Sequence, residues 1–285
     1  MKKKKDFFAI ITILCMCVTS ICGIISMNFD YGYDFINQYG HTVKIFGYGI
    51  YANDSYFKAP ISIGSDFCIL FVVVPLFLFT YLQYQKKGDV ISEIKLISIY
   101  AVAFYYAASI AFGVVYNQIF LVYVLLFASS LFGMFAHIRK INVKQNITVT
   151  KGLSIFLVIA GIALLVAWLP DIIFAMAAKS TLSLIGVYTT EITYVLDMGI
   201  ISPMCFICLY LLKKKDGLGV ILLSVLLKAC IIVGIMVIPQ TICQGLSGIE
   251  LSLPALATKV MSFVLLGGFA LFFNRKMYQE LKDTK

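Results

Sequence analysis

The chain has 285 residues, of which 61% are hydrophobic and only 13% are charged, and its mean hydropathy is +0.96. Soluble globular proteins average about 45–50% apolar and roughly 25% charged residues, so this composition excludes an ordinary soluble domain. The net charge of +9 does not indicate a nucleic-acid partner, because the basic residues lie in short breaks between apolar runs and form no stripe interleaved with exposed aromatic residues.

The apolar residues form eight runs, each long enough to cross about 30 Å of hydrocarbon as a helix. A transmembrane β-barrel would need short alternating strands, and the runs lack that pattern. In chain order, the predicted helices cover residues 7–27, 65–84, 94–116, 119–138, 152–176, 190–212, 218–238 and 254–273. We therefore expect an all-α polytopic membrane protein with about eight transmembrane helices and the lipid bilayer as its surroundings.

The longest polar connection covers residues 28–64 and is rich in tyrosine and glycine. Its stretch "TVKIFGYGIY" alternates in a strand-like way and favours a short β-hairpin. The first predicted helix follows "MKKKKD" and is longer than the apolar part of a signal peptide, so we expect it to be retained as a membrane span.

The basic residues are distributed asymmetrically along the chain. Seventeen of the 23 lysines and arginines lie at the N-terminus, in alternate breaks and in the C-terminal tail, whereas three lie in the connections on the other side. By the positive-inside rule, both termini are cytoplasmic and residues 28–64 form an outer loop. We expect one integrated membrane domain with two four-helix halves, residues 1–151 and 152–285.

Asp197 lies in the sixth predicted helix, within "ITYVLDMGIISPMCFICLYLL", where an ionised carboxylate is costly. At 1.5 Å per residue it lies about 10 Å below the outer end of its helix, and Lys228 lies about 15 Å below the outer end of the seventh. A short inner turn makes these helices antiparallel neighbours, and a lysine stem can bridge the remaining distance. We therefore predict an Asp197–Lys228 ion pair.

Three more ionisable residues, Asp171, Glu191 and Lys259, fall in the outer half of the last four predicted helices. Together with Asp197 and Lys228 they suggest an outward-facing polar site that binds a small molecule or an ion. Two other interpretations stay open. In the first, the ion pair serves only to fix how the helices pack. In the second, the predicted helix boundaries are misplaced and these charges lie at the membrane interface.

No motif of a known catalytic, metal or cofactor site occurs in the sequence. His41 and His137 have no second histidine or cysteine at ligand spacing, and Cys205 and Cys208 lie inside an apolar helix. A buried lysine with a carboxylate counter-ion is what a retinal Schiff base requires, but an eight-helix layout argues against a rhodopsin. We predict no catalytic residue, no metal and no cofactor.

Four segments, "GYGIYANDSYFKAP", "YYAASIAFGVVYNQIFLVYVLLFASSLFGM", "WLPDII" and "YVLDMGIISP", lie between about residues 41 and 240. Together they resemble a family of uncharacterised bacterial multi-pass membrane proteins. The resemblance implies a protein of the bacterial cytoplasmic membrane, and it implies no activity or site residue. The family often has a longer, arginine-rich inner turn where this chain has "KKKDG".

Three classes of function are compatible with the sequence, and the first is favoured. The first is a transporter or sensor of a small molecule or ion. The second is a membrane-embedded enzyme acting on a lipid, which would have to use the scattered Asp54, Asp66 and Asp171 at the outer face. The third is a non-catalytic structural or partner subunit, whose charges only hold helices together. The sequence does not identify a protein partner.

Overall fold

The computed structural model describes residues 6–144, 147–250, 253 and 260–283. Its long helices are α1 Phe7–Ile25, α2 Ala59–Lys87, α3 Val90–Gly113, α4 Phe120–Ile138, α5 Lys151–Ala177, α6 Ile192–Lys213, α7 Gly217–Leu246 and α8 Ser262–Asp283. Within these described ranges, α1 to α7 are each long and apolar enough to cross a membrane. The expectation of a predominantly helical chain with several apolar helices of membrane-crossing length is therefore confirmed.

The expected hairpin is also present, as the antiparallel strands β1 Tyr33–Ile36 and β2 Thr42–Ile45. Residues 26–58, which contain it, dock against residues 178–191, the connection between α5 and α6. Asn37 Nδ2 donates to the Gly186 carbonyl at 2.6 Å, and Gln38 Nε2 donates to the Tyr188 carbonyl at 3.1 Å. We call this end of the helix bundle the hairpin end.

The opposite end carries the turns between α2 and α3, α4 and α5, and α6 and α7, and we call it the basic end. Helices begin there with side-chain caps, which satisfy backbone N–H groups that a first turn leaves unpaired. Asp89 caps α3 and Asp216 caps α7, while Asp6 accepts hydrogen bonds from the Phe8 and Ala9 amides at the start of α1. The short turns make successive helices antiparallel.

Helix α8 differs from the expected eighth span. That span was placed at residues 254–273 with a free cytoplasmic tail after it, but the helix continues to Asp283, and residues 254–259 lie outside the described part of the chain. The tail is amphipathic, and it buries Met277, Tyr278 and Leu281 against the other helices. Residues three and four apart lie on one helix face, so this spacing keeps the segment helical and packed.

Helices α2 and α6 each contain one wider, π-helical turn, at Ile69–Val73 and Asp197–Ile201. In both helices a proline follows two residues later, at Pro75 and Pro203. Proline has no N–H to donate, and its ring clashes with the carbonyl four residues earlier. A π turn inserts one residue and relieves that clash, so both helices cross the bundle without ending at the proline.

Helix α3 is the central helix of the bundle. In its most apolar stretch 61% of the residues are buried, against between 33% and 44% in the other six membrane-length helices. It borders both main hydrophobic clusters, since Tyr100 packs among α1, α2 and α4 while Ile94 packs among α5 to α8. Polar side chains on α3 must therefore find partners inside the protein.

Candidate functional site

Three tyrosines of the central helix each donate a hydrogen bond to a different aspartate. Tyr100 donates to Asp6 at 2.8 Å, Tyr105 to Asp197 at 2.7 Å and Tyr106 to Asp66 at 2.5 Å. Consecutive helical residues point about 100° apart, so Tyr105 and Tyr106 face different neighbouring helices. Helix α3 thus lies between two buried carboxyl groups, one on α2 and one on α6.

Asp66 on α2 is completely buried. Its Oδ2 accepts from the Tyr51 hydroxyl at 2.7 Å, and its Oδ1 accepts from the Tyr106 hydroxyl. In the part of the chain that the structure describes, no basic side chain forms an ion pair with it. The Asp66 carboxyl is therefore held by neutral donors alone.

Gly23 on α1 makes room for this carboxyl group. A Cβ at Gly23 would lie closer than 3.0 Å to both Oδ2 and Cγ of Asp66, and 3.2 Å from the Tyr51 hydroxyl oxygen. No side chain larger than a hydrogen atom fits beside Asp66 in this arrangement. Helices α1 and α2, together with the turn that carries Tyr51, thus form a tight pocket around one carboxyl.

Asp197 on α6 is the second such group, with 6% of its surface exposed. It accepts from Tyr105 and from the Trp168 indole nitrogen at 2.9 Å. The Trp168 ring stacks on Tyr194 at 4.7 Å between centroids, and the Tyr194 hydroxyl donates to Asp171 at 2.8 Å. Asp171 and Asp197 therefore share one aromatic pair.

The predicted Asp197–Lys228 ion pair is wrong. Lys228 lies 11 residues after Gly217 and 18 residues before Leu246, about 16 Å and 27 Å along the helix. Helix α7 was expected to end at residue 238, but it continues past Pro239 to Leu246. The lysine is therefore nearer the basic end, and its side chain lines a cavity there.

The other expected site residues do not complete one cluster. Glu191 forms an ion pair with Lys58 at the hairpin end, and Lys259 lies outside the described residues. Asp171 and Asp197 are linked through Trp168 and Tyr194, as described above. Their proposed roles in binding a ligand stay predictions.

Asp54 is a buried carboxyl at the hairpin end. From the sequence it was named only as one of three scattered aspartates at the outer face. It is 1% exposed, and its Oδ1 accepts from the Tyr188 hydroxyl at 2.7 Å and from the Val115 amide at 3.0 Å. Burial raises the pKa of Asp54 to about 7, against the partial opposition of these hydrogen bonds and of the nearby Lys58 charge. Burial likewise raises the pKa of Tyr188 well above 10.

His137 joins two carboxylates at the basic end. Its Nε2 lies 2.8 Å from Asp6 Oδ2 and its Nδ1 lies 3.1 Å from Glu93 Oε1. Burial raises the pKa of Asp6, but the hydrogen bonds from His137 and Tyr100 outweigh it, and the pKa is lowered. This cluster ties the start of α1 to α3 and to the end of α4.

One feature of the sequence, Pro60, could have indicated that Asp66 lies inside the second helix. The second helix was predicted to start at residue 65, which put Asp66 at the membrane surface, whereas α2 begins at Ala59 and places Asp66 two turns inside. Pro60 at the first turn, a favoured position for proline, marks the earlier start.

Searching the described residues finds no group of three or more histidine, cysteine, aspartate or glutamate side chains that could hold a metal ion. Comparison with protein-family models, curated proteins and solved structures finds no match to this chain.

Proposed function

We propose that this chain is a proton-linked transporter or sensor, in which Asp66 binds and releases a proton. The observation that carries the proposal is the complete burial of Asp66 with two tyrosine hydroxyls and, among the described residues, no ion pair. The surroundings proposed here are a bacterial cytoplasmic membrane, with α8 as an eighth span, both termini inside and the hairpin end outside. The excess of basic residues at the basic end supports that orientation.

The charge argument favours a proton over a metal ion or an ion pair at Asp66. An isolated carboxylate inside a membrane costs at least about 2.5–3.5 kcal/mol on insertion scales, and protonation removes that cost. A tyrosine hydroxyl can donate to a carboxylate or accept from a carboxylic acid. Tyr51 and Tyr106 therefore suit either protonation state.

The contacts of Asp66 link its charge to the position of other elements. Its carboxyl touches α3 through Tyr106 and the Gly49–Tyr51 turn of the hairpin end through Tyr51. Adding a proton to one carboxyl oxygen makes that oxygen a donor while the other oxygen still accepts, so the bond to one of the two tyrosines must reverse or break. The π turn three residues after Asp66 is a wider turn of a kind found often at functional sites. These features support coupling between a proton and the outer surface.

Asp197 repeats the arrangement on the other side of α3. It too is held by two neutral donors and lies at a π turn that precedes a proline. Two protonatable groups that contact the same central helix suit a protein that alternates between two states. We propose Asp197 as the second proton site, in place of the ion pair with Lys228.

The test is pH-difference infrared spectroscopy on the full-length protein in lipid. Wild type should show protonated-carboxyl bands that change with pH, and Asp66→Asn should remove the component that Asp66 contributes while those of Asp54 and Asp197 remain. Asp34→Asn, a matched change on the exposed strand β1, should leave all of these bands intact. Bands that are unchanged in Asp66→Asn would remove the basis of the proposal. A structural subunit predicts instead that Asp66→Asn lowers stability while no pH-dependent band is lost with Asp66.

A further inference from the structure

A cavity of about 320 Å³ opens at the basic end between α2, α3, α7 and α8. Four basic side chains from three of these helices line it: Lys95, Lys228, Arg275 and Lys282. Its lining contains no aspartate or glutamate. Four positive charges around one cavity repel one another, so the cavity is electrostatically suited to an anion.

We infer that this cavity binds a phosphate group. A phosphate monoester carries about 1.5–2 negative charges near neutral pH and three acceptor oxygens. Arginine and lysine are the side chains that proteins use for phosphate, and Arg275 offers a planar guanidinium fork beside the lysine ammonium groups. The ligand class is therefore a phosphate-bearing anion that approaches from the basic end.

Lys228 is the residue whose position is hardest to explain without a ligand. It is half-buried in the middle of α7, and in the described ranges it forms no ion pair with a carboxylate. A lysine at such depth normally has a partner or faces a water-filled cavity. A bound anion supplies that partner.

Two other groups of the cavity, Tyr278 and Gln83, hold one of the four cations in place. Lys95 Nζ lies 5.0 Å from the centre of the Tyr278 ring and 3.4 Å from Gln83 Oε1. Asn274 Oδ1 is buried and has no hydrogen-bond partner among the described residues. An amide oxygen only accepts hydrogen bonds, so a water molecule or one of the neighbouring cations is the partner that completes this part of the site.

A second cavity of about 360 Å³ adjoins the first and shares Gln83, Lys95 and Lys282 with it. It adds Lys87 and one acidic residue, Asp89. On its other side, the first cavity is lined by Leu76 and Phe79, and Phe79 is 62% exposed on the outer surface of α2. The phosphate site thus opens both to a polar groove and to an apolar helix face.

Two sources of phosphate match this shape, the headgroup of an anionic lipid and a soluble phosphate. A lipid would place its acyl chains along Phe79, and basic pockets between helices at the cytoplasmic side are known to bind lipid headgroups. A soluble phosphate would enter through the groove at Lys87. Both sources require Lys228 and Arg275.

The experiment has two arms, both on the full-length protein. In the first, the protein is extracted from nanodiscs of phosphatidylcholine with a minor fraction of phosphatidylglycerol. The phosphatidylglycerol that stays bound to the protein is then measured by native mass spectrometry. In the second, nanodiscs of phosphatidylcholine alone are titrated with inorganic phosphate and pyrophosphate, and the thermal unfolding midpoint is followed. Retention in the first arm identifies a lipid headgroup, and stabilisation in the second identifies a soluble phosphate.

The variant Lys228→Gln/Arg275→Gln should reduce binding about tenfold or more in whichever arm is positive, which corresponds to the loss of about 1.4 kcal/mol. Lys179→Gln, a matched change at the exposed hairpin end, should not alter it. If the double variant is unstable, Lys282→Gln at the exposed rim should still weaken binding. Absence of binding in both arms, or binding that these cavity variants leave unchanged, would overturn the inference.

Discussion

Replacing Gly23 by alanine tests the pocket around Asp66 directly. The new Cβ would lie closer than 3.0 Å to two atoms of the Asp66 carboxyl group and 3.2 Å from the Tyr51 hydroxyl oxygen. The carboxyl must then rotate away, and the Tyr51 hydrogen bond is lost or lengthened. Because the group is enclosed by α1, α2 and α3, it has no open space into which to move.

The magnitude follows from three contributions. Forcing an extra methyl group into a packed site costs about 1–3 kcal/mol. Losing the hydrogen bond to a buried carboxyl costs about 1–3 kcal/mol. Alanine is favoured over glycine within a helix by about 0.5–1 kcal/mol, which offsets part of the loss. We therefore expect Gly23→Ala to lower the free energy of unfolding by about 2–4 kcal/mol.

The decisive measurement is a double-mutant cycle that combines Gly23→Ala with Asp66→Ala. The free energy of unfolding of each variant is measured by denaturant unfolding in micelles. Without the carboxyl group the clash disappears, so Gly23→Ala should then be neutral or stabilise by up to about 1 kcal/mol. Gly268→Ala is the matched control, since a Cβ there meets nothing within 4 Å, and it should be harmless in both backgrounds. An equal cost of Gly23→Ala with and without Asp66 would refute the described packing.

Two further predictions concern Asp54 and Asp197. Because the folded-state pKa of Asp54 is about 7 and its ordinary value is 3.8, its carboxyl binds more protons when folded, so stability falls as pH rises from about 4 to about 7. Hydrogen exchange of residues 178–191 should show this loosening, and Asp54→Asn should remove its pH dependence; a flat wild-type profile contradicts the assignment. For Asp197, the unfolding costs of Asp197→Asn and Lys228→Met should add within about 0.5 kcal/mol, because the two side chains share no contact. A coupling of several times that size in a double-mutant cycle would restore the ion pair.

Hydrophobic run length was sufficient to locate the membrane-length helices, because a helix that crosses hydrocarbon needs an uninterrupted apolar stretch. Alternation in residues 42–51 indicated the second strand of the hairpin, β2, whereas the first strand, Tyr33–Ile36, lies before that stretch. The ends of the helices were less well determined. The seventh helix was predicted to end at residue 238, yet α7 continues past Pro239 to Leu246, and this difference places Lys228 nearer the basic end than expected.

The partners of the buried aspartates could not be read from local sequence. Tyr105 meets Asp197 across 92 positions and Tyr106 meets Asp66 across 40, so each pairing depends on which helices become neighbours. Tyrosines in membrane helices usually pack or lie at interfaces. Charge balance alone favoured a lysine as the partner of Asp197, whereas neutral hydroxyl and indole donors satisfy it in the fold.

The adjacency of Tyr105 and Tyr106 has a mechanical consequence. Both tyrosines are carried by one helix, so a rotation of α3 about its axis moves their two hydroxyl groups together. A rotation of α3 that breaks the hydrogen bond to Asp66 on α2 therefore also moves Tyr105 relative to Asp197 on α6, so both contacts depend on the same angle of one helix. A change of protonation at Asp66 or Asp197 would therefore alter the hydrogen bond at the other aspartate through the position of α3, without any side chain running between them.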